Sequence, residues 1–165
     1  TGPTTIGSWA ATEQGRQGAA RISELFSRAG IETEVVDDVL SVVWNKLLIN
    51  IGINAVTALS GIKNGQILDL DVTRRLSRLA VEEAIALARA RGINIKKDAV
   101  DIVFNVAQAT AANRSSMGQD VDNKRQTEIA AINGYVVREA ERLSLDTPIN
   151  FALTALIETL QTHYD

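Results

Sequence analysis

Leu40, Trp44, Leu47, Ile51, Ala55 and Ala58 recur at spacings of three and four, which places them on one apolar stripe of a helix ending near Leu59. Asp37 or Asp38 is suited to cap its start, and Ser60-Gly61 to end it. Within this stretch Lys46, Asn50 and Asn54 are spaced i, i+4, i+8. At about 100° per residue they advance only ~40° per step, so all three point the same way along ~12 Å of helix. The row lies beside the apolar stripe, not opposite it. Asparagine is a mediocre helix former because its amide competes for backbone hydrogen bonds. Two readings account for the row. Either the helix is packed, with its lysine reaching water and its asparagines bonded to neighbouring helices, or the row is a set of donors lining a cleft for a small polar ligand. Periodicity leaves both open.

The stretch before this helix has a different pattern. Residues 4–9, after Pro3, read as a short strand; 15–29 read as a helix through Ile22, Leu25 and Phe26, stopped by Gly30; 31–36 alternate as a strand does. A strand–helix–strand unit this small cannot cover both faces of its own sheet. Residues 1–37 are therefore expected to be the cut edge of a larger α/β domain, and the chain a piece of a longer protein. Residues 38–165 are expected to form a separate helical domain.

From Asp38 onward the helical period continues. Residues 64–70 read as a short connecting turn or helix, and Asp71 as the cap of a long amphipathic helix closed by Gly92. Glu82 and Glu83 on it are expected to be helix-face charges or partners of Arg75 and Arg78. A helix is predicted over 97–112, and a loop over the polar stretch 113–120. Another helix is predicted over 125–143, with Glu128 in its first turn, where a carboxylate is favoured. Gly134 inside it costs about 1 kcal/mol relative to alanine and predicts a second helix passing close by. Thr147-Pro148 predicts the cap and first position of a last helix. The fold class is all-α: a helical bundle preceded by a short strand–helix–strand.

Composition narrows the chemistry. Lysine and arginine number 17 against 20 acidic residues, scattered along the chain, which gives no footing for a nucleic-acid groove. No apolar run approaches the ~20 residues that span a bilayer. With no cysteine there is no disulfide framework, thiolate nucleophile or cysteine-based metal site, a usage that fits a cytoplasmic protein. The single histidine, His163, lies at the chain's end, where a general base is poorly held, so a serine-hydrolase triad and a His-rich metal site are both disfavoured. Asp120 and Asp122 sit two apart as in a calcium loop, but the glycine and distal glutamate of such a loop are out of register. Gly15-Arg16-Gln17-Gly18 lacks the spacing of a dinucleotide-binding turn. Any catalysis must run on lysine, carboxylates, serine, asparagine or a bound cofactor.

Three stretches, taken in order, resemble one family. Trp44-Asn45-Lys46-Leu47-Leu48-Ile49-Asn50 with Asn54 is the first. Ser115-Ser116-Met117-Gly118-Gln119-Asp120, followed by Thr127-Glu128-Ile129 and Ile132-Asn133-Gly134, is the second. Thr147-Pro148-Ile149-Asn150 is the third. Together they are similar to the C-terminal domain of ketopantoate reductases (2-dehydropantoate 2-reductases). The resemblance implies an N-terminal dinucleotide-binding Rossmann domain that binds NADP, with residues 1–37 as its tail end, followed by a helical substrate domain like that of 6-phosphogluconate dehydrogenase. It implies reduction of ketopantoate to pantoate with NADPH, in pantothenate biosynthesis. Residue by residue, it implies that Lys46 is the catalytic lysine, that Asn50 and Asn54 hold substrate oxygens, and that Ser116 bonds the substrate carboxylate. It gives Glu128 a catalytic role, orienting the substrate or the nicotinamide end of the cofactor and keeping Lys46 charged. Ala130 departs from the family's pattern, in which an aspartate usually follows Thr-Glu-Ile. No metal is expected. A homodimer is expected, because an apolar helical domain buries its exposed face. Two alternatives stand beside this reading: a related reductase of another 2-keto acid, and a non-catalytic helical dimerisation domain.

Overall fold

Two short strands, β1 (Thr4–Ile6) and β2 (Thr33–Val35), pair in parallel with Thr4 opposite Thr33 and Ile6 opposite Val35. Helix α1 (Glu13–Arg28) makes the crossover between them. The computed structural model describes residues 4–10 and 12–164, so Pro3, ahead of β1, lies outside the described residues. Thr12 caps α1 by accepting from the Gly15 amide, and Gly30 takes a φ of +80° where the chain turns back. The predicted strand–helix–strand is present, with shorter strands. Its apolar face is largely uncovered: Ala19 is buried, whereas Ile22, Leu25, Phe26 and Val35 are exposed.

The chain divides into two compact units, 1–44 and 45–165, and helix α2 (Val39–Ser60) runs across the division. Asp38 caps it as expected, both carboxylate oxygens engaging Ser41, and these bonds hold the Asp38 carboxyl below its ordinary value. Gly61 ends it at a φ of +72°. All eight residues from Ile51 to Ala58 are buried. The expected one-sided stripe therefore holds only for the first half of α2; the second half is a central helix enclosed on every side. That enclosure also corrects the reading that no segment matches a membrane span. Over an 18-residue window α2 has a mean hydropathy of 1.5, long and apolar enough by length and composition to cross a bilayer, and its apolarity serves the protein interior.

Around α2, the second unit places a 3-10 turn (Asn64–Leu68) and helices α3 (Asp71–Ala90), α4 (Ala99–Ala109), α5 (Ser116–Asp122), α6 (Asn133–Glu141) and α7 (Pro148–Gln161). Close crossings are made at glycines. A Cβ on Gly52 would lie 2.6 Å from Val103 of α4 and 2.9 Å from Val81 of α3, so α2 sits as near to both as its backbone allows. A Cβ on Gly134 would lie 3.4 Å from the Thr154 methyl of α7, the close passage that its position in the sequence predicted.

Four local expectations are corrected. Of residues 113–120 only 113–115 lie outside helix; 116–120 are not a loop, because Ser115 accepts from the Gly118 amide and starts α5. The helix predicted over 125–143 begins only at Asn133: Lys124 takes a φ of +52°, residues 125–127 run outside helix, and 128–132 form a turn. Glu128 is therefore in that turn, not in a helix's first turn. Thr147 makes no side-chain cap for α7. Glu83 caps it instead, from α3, accepting from the Ile149 and Asn150 amides at 2.9 Å each. Pro148 at the first position has no N–H to satisfy, so one carboxylate takes the two amides that follow it. Glu83 is thus a cap between helices and not a helix-face charge.

Candidate active site

The row on α2 is graded. Lys46 is exposed, Asn50 half-buried, and Asn54 only 6% exposed. Among the described residues, neither asparagine side chain has a hydrogen-bond partner. Asn54 as a whole is nearly buried, but neither amide is among the fully buried polar groups that lack a partner, so both are open to water or to a small polar ligand. The packing alternative, in which both amides bond neighbouring helices, does not describe this row. Thr57, one turn beyond Asn54, is fully buried, and its hydroxyl bonds the Ile53 and Asn54 carbonyls.

Thr57 is also where α5 attaches. Its Oγ1 lies 2.7 Å from Ser115 Oγ. Arg114 adds a second tie, donating to the Thr57 and Ile62 carbonyls, two acceptors left open at the C-terminal end of α2. The other edge of the same guanidinium makes a two-point ion pair with Asp122, at 2.8 and 2.9 Å. These bonds lower the Asp122 carboxyl below, and raise the Arg114 guanidinium above, their ordinary values. Gly118 makes room for this arm, since a Cβ there would stand 2.7 Å from the guanidinium carbon. The result is that Ser116, exposed at the start of α5, is carried on an element fixed to α2 beside Asn54. The sequence singled out Ser116 but gave no role to Arg114, Ser115 or Thr57. The signal for Ser115 was available, because a serine ahead of a short apolar turn is a helix cap.

Glu128 is exposed, and among the described residues its carboxylate makes no hydrogen bond or ion pair, Lys46 included. Its backbone carbonyl accepts from the Ala131 and Ile132 amides at 2.9 and 3.0 Å. The next residue, Ile129, is buried, so the turn is rooted in the core while its carboxylate faces outward. Lys46, Asn50 and Asn54 are brought onto one helix face, with Ser116 on the helix tied to it. Glu128 is not in bonding contact with any of them.

None of the five cavities described on the second unit is lined by Lys46, Asn50, Asn54, Ser116 or Glu128. Among the described residues no group of three or more histidine, cysteine, aspartate or glutamate side chains is placed to hold a metal ion. Gly15 and Gly18 lie within α1, whose first turn is capped by Thr12.

Residues 38–161 match the model of the family described as ketopantoate reductase PanE/ApbA C terminal. The 2-dehydropantoate 2-reductase of Halobacterium salinarum is 34% identical over 160 residues, which is 97% of this chain and 52% of that protein. The crystal structure of a PanE/ApbA family ketopantoate reductase from Ralstonia eutropha superposes with a TM-score of 0.87 at 27% identity, covering 99% of this chain and 53% of that one. A dimeric ketopantoate reductase from Staphylococcus aureus superposes with a TM-score of 0.78 at 25% identity, covering 88% and 51%. The chain thus spans about half the length of the relatives it matches. With its three motif stretches in order and its helical unit matched from Asp38 to Gln161, the chain belongs to the ketopantoate reductase family and carries that family's C-terminal domain.

Proposed function

We propose that this chain is the substrate-binding and dimerising part of an NADPH-dependent 2-dehydropantoate 2-reductase, acting in the cytoplasm in pantothenate biosynthesis. The observation that carries the reading is the graded row on α2, a lysine at the surface followed by two asparagine amides that the described protein leaves unbonded. Reduction of ketopantoate turns a ketone carbon into an alcohol carbon, and negative charge develops on oxygen as it proceeds. Lys46, an ammonium at the open end of the row, stabilises that charge and delivers the proton to the oxygen. Asn50 and Asn54 hold the substrate's hydroxyl and carbonyl oxygens on the same face. Ser116 bonds its carboxylate, and Glu128 orients the substrate. The hydride would come from NADPH, held mainly by an N-terminal dinucleotide-binding domain, with Glu128 near its nicotinamide end. Residues 1–37 are assigned to the edge of that domain, which agrees with the uncovered Ile22, Leu25 and Phe26 of α1. A homodimer is assigned by likeness to the Staphylococcus aureus relative.

The reading is tested in the full-length protein by following NADPH oxidation over a panel of 2-keto acids. Ketopantoate is expected to be the best substrate. Lys46→Ala is expected to lower turnover about 10²- to 10⁴-fold with folding intact. Unchanged turnover in Lys46→Ala would falsify the catalytic role and leave a helical dimerisation domain. A different best substrate would leave the mechanism and change the keto acid, an outcome consistent with Ala130 at the family's usual aspartate position. The present chain alone is expected to show no reductase activity, because the reacting groups are not held together without the cofactor domain.

A further inference from the structure

The turn that carries Glu128 is tied to helix α7 on both sides. Ahead of it, the Thr127 amide donates to Gln161 Oε1 at 2.6 Å. Behind it, Asn133 Nδ2 donates to Asn150 Oδ1 at 2.9 Å, and both asparagines are fully buried. Asn150 is itself fixed by donating to the Ala80 carbonyl and to Glu83, the carboxylate that caps α7. Between the two ties Ile129 is buried, but beside it the segment leaves a gap against α7. A cavity of about 320 Å³ lies there, lined by Gln126, Thr127, Ile129, Ala130, Glu158 and Gln161. Close packing fixes side-chain positions in most of a core, and where it is absent, specific hydrogen bonds must do so. On the side ahead of Glu128, the Gln161 bond is that tie.

We infer that Gln161 and Asn150 are positioning residues for Glu128, and that α7 sets where the Glu128 carboxylate stands. The inference rests on the role given to Glu128 under Proposed function. Gln161 does not face the substrate. It acts through the Thr127 backbone, one residue from the working side chain. A reacting group displaced by an ångström loses about 10²-fold in rate, so loosening one of two ties should cost about tenfold in kcat.

The test uses the full-length enzyme, steady-state kinetics with NADPH and ketopantoate, and thermal melting. Gln161→Ala is expected to lower kcat about tenfold with little change in KM for NADPH and little change in Tm. Gln161→Glu keeps a carboxylate oxygen as acceptor, beside Lys124, which lines the adjoining cavity with it. It is expected to restore most of the loss. In a Glu128→Gln background, Gln161→Ala is expected to have no further effect. If Glu128→Gln is impaired but Gln161→Ala keeps parental kcat, or if the two losses multiply, the positioning role is overturned while the Glu128 assignment stands. If Glu128→Gln itself keeps parental kcat, the Glu128 assignment fails, and this inference with it.

Discussion

Two pairs of asparagines in the helical unit are used in opposite ways. Asn133 and Asn150 are fully buried and bonded to each other, and Asn150 uses both amide hydrogens and its oxygen within the protein. Asn50 and Asn54 sit on a central helix with no side-chain partner among the described residues. Only the Asn133 oxygen spoils the symmetry, being buried without a partner. An amide satisfied from within locks helices together, whereas one left open at the edge of the interior is available to a ligand. The first pair ties α3, α6 and α7; the second lines a wall. The same residue type, in two settings, separates the scaffold from the proposed site.

The comparison breaks most readily at Asn150. Asn150→Ala strands Asn133 and releases one bond to Glu83, and is expected to cost about 3 kcal/mol of unfolding free energy, read by urea denaturation of the full-length protein. A cost below that of an ordinary surface substitution would show that the network is not a lock. Gly52→Ala drives a methyl into Val81 and Val103 and is expected to cost about 1–3 kcal/mol in the same measurement. On the other side of the comparison, Asn54→Ala removes no bond within the protein. It is expected to leave Tm nearly unchanged and raise KM for the keto acid about tenfold, or ~1.4 kcal/mol. A large drop in Tm with normal KM would move Asn54 into the scaffold class.

The smallest effect is expected at the arm that joins site to scaffold, the Arg114–Asp122 pair. Hydrogen bonds from Arg114 lower the folded Asp122 carboxyl below its ordinary value of 3.8. A depressed folded value means that the stabilisation is present above 3.8 and is lost as pH falls through the folded value. Asp122→Asn is therefore expected to be slightly less stable than the parent near neutral pH, the gap closing in strong acid. A gap that stays constant through that range would remove the ion pair from the account.

Much of the scaffold is visible in local pattern. A cap at Asp37 or Asp38, Gly61 after Ser60 and the strand–helix–strand turn at Gly30 are read from the sequence, because caps and left-handed turns depend on residues within four positions of each other. Gly134 was legible as a close approach, though its partner Thr154 was not. Two of the contacts that the sequence did not reveal are long-range. Glu83 caps a helix 66 residues away, and Gln161 holds the Thr127 amide 34 residues away. Polarity made residues 113–120 look like loop, but Ser115 bonded to Thr57, and Arg114 bonded to the end of α2, hold 116–120 as a helix.

By itself the sequence determined the family, the helical class, and the row Lys46–Asn50–Asn54 as three side chains on one face, since helical period fixes direction. Only the tertiary structure decided that the row runs from solvent into the interior with its amides unbonded, because burial and bonding depend on which other helices arrive around α2. It also decided that Glu128 stands on a turn tied at both sides to α7. Period is a property of neighbours along the chain; partnership is a property of neighbours in space.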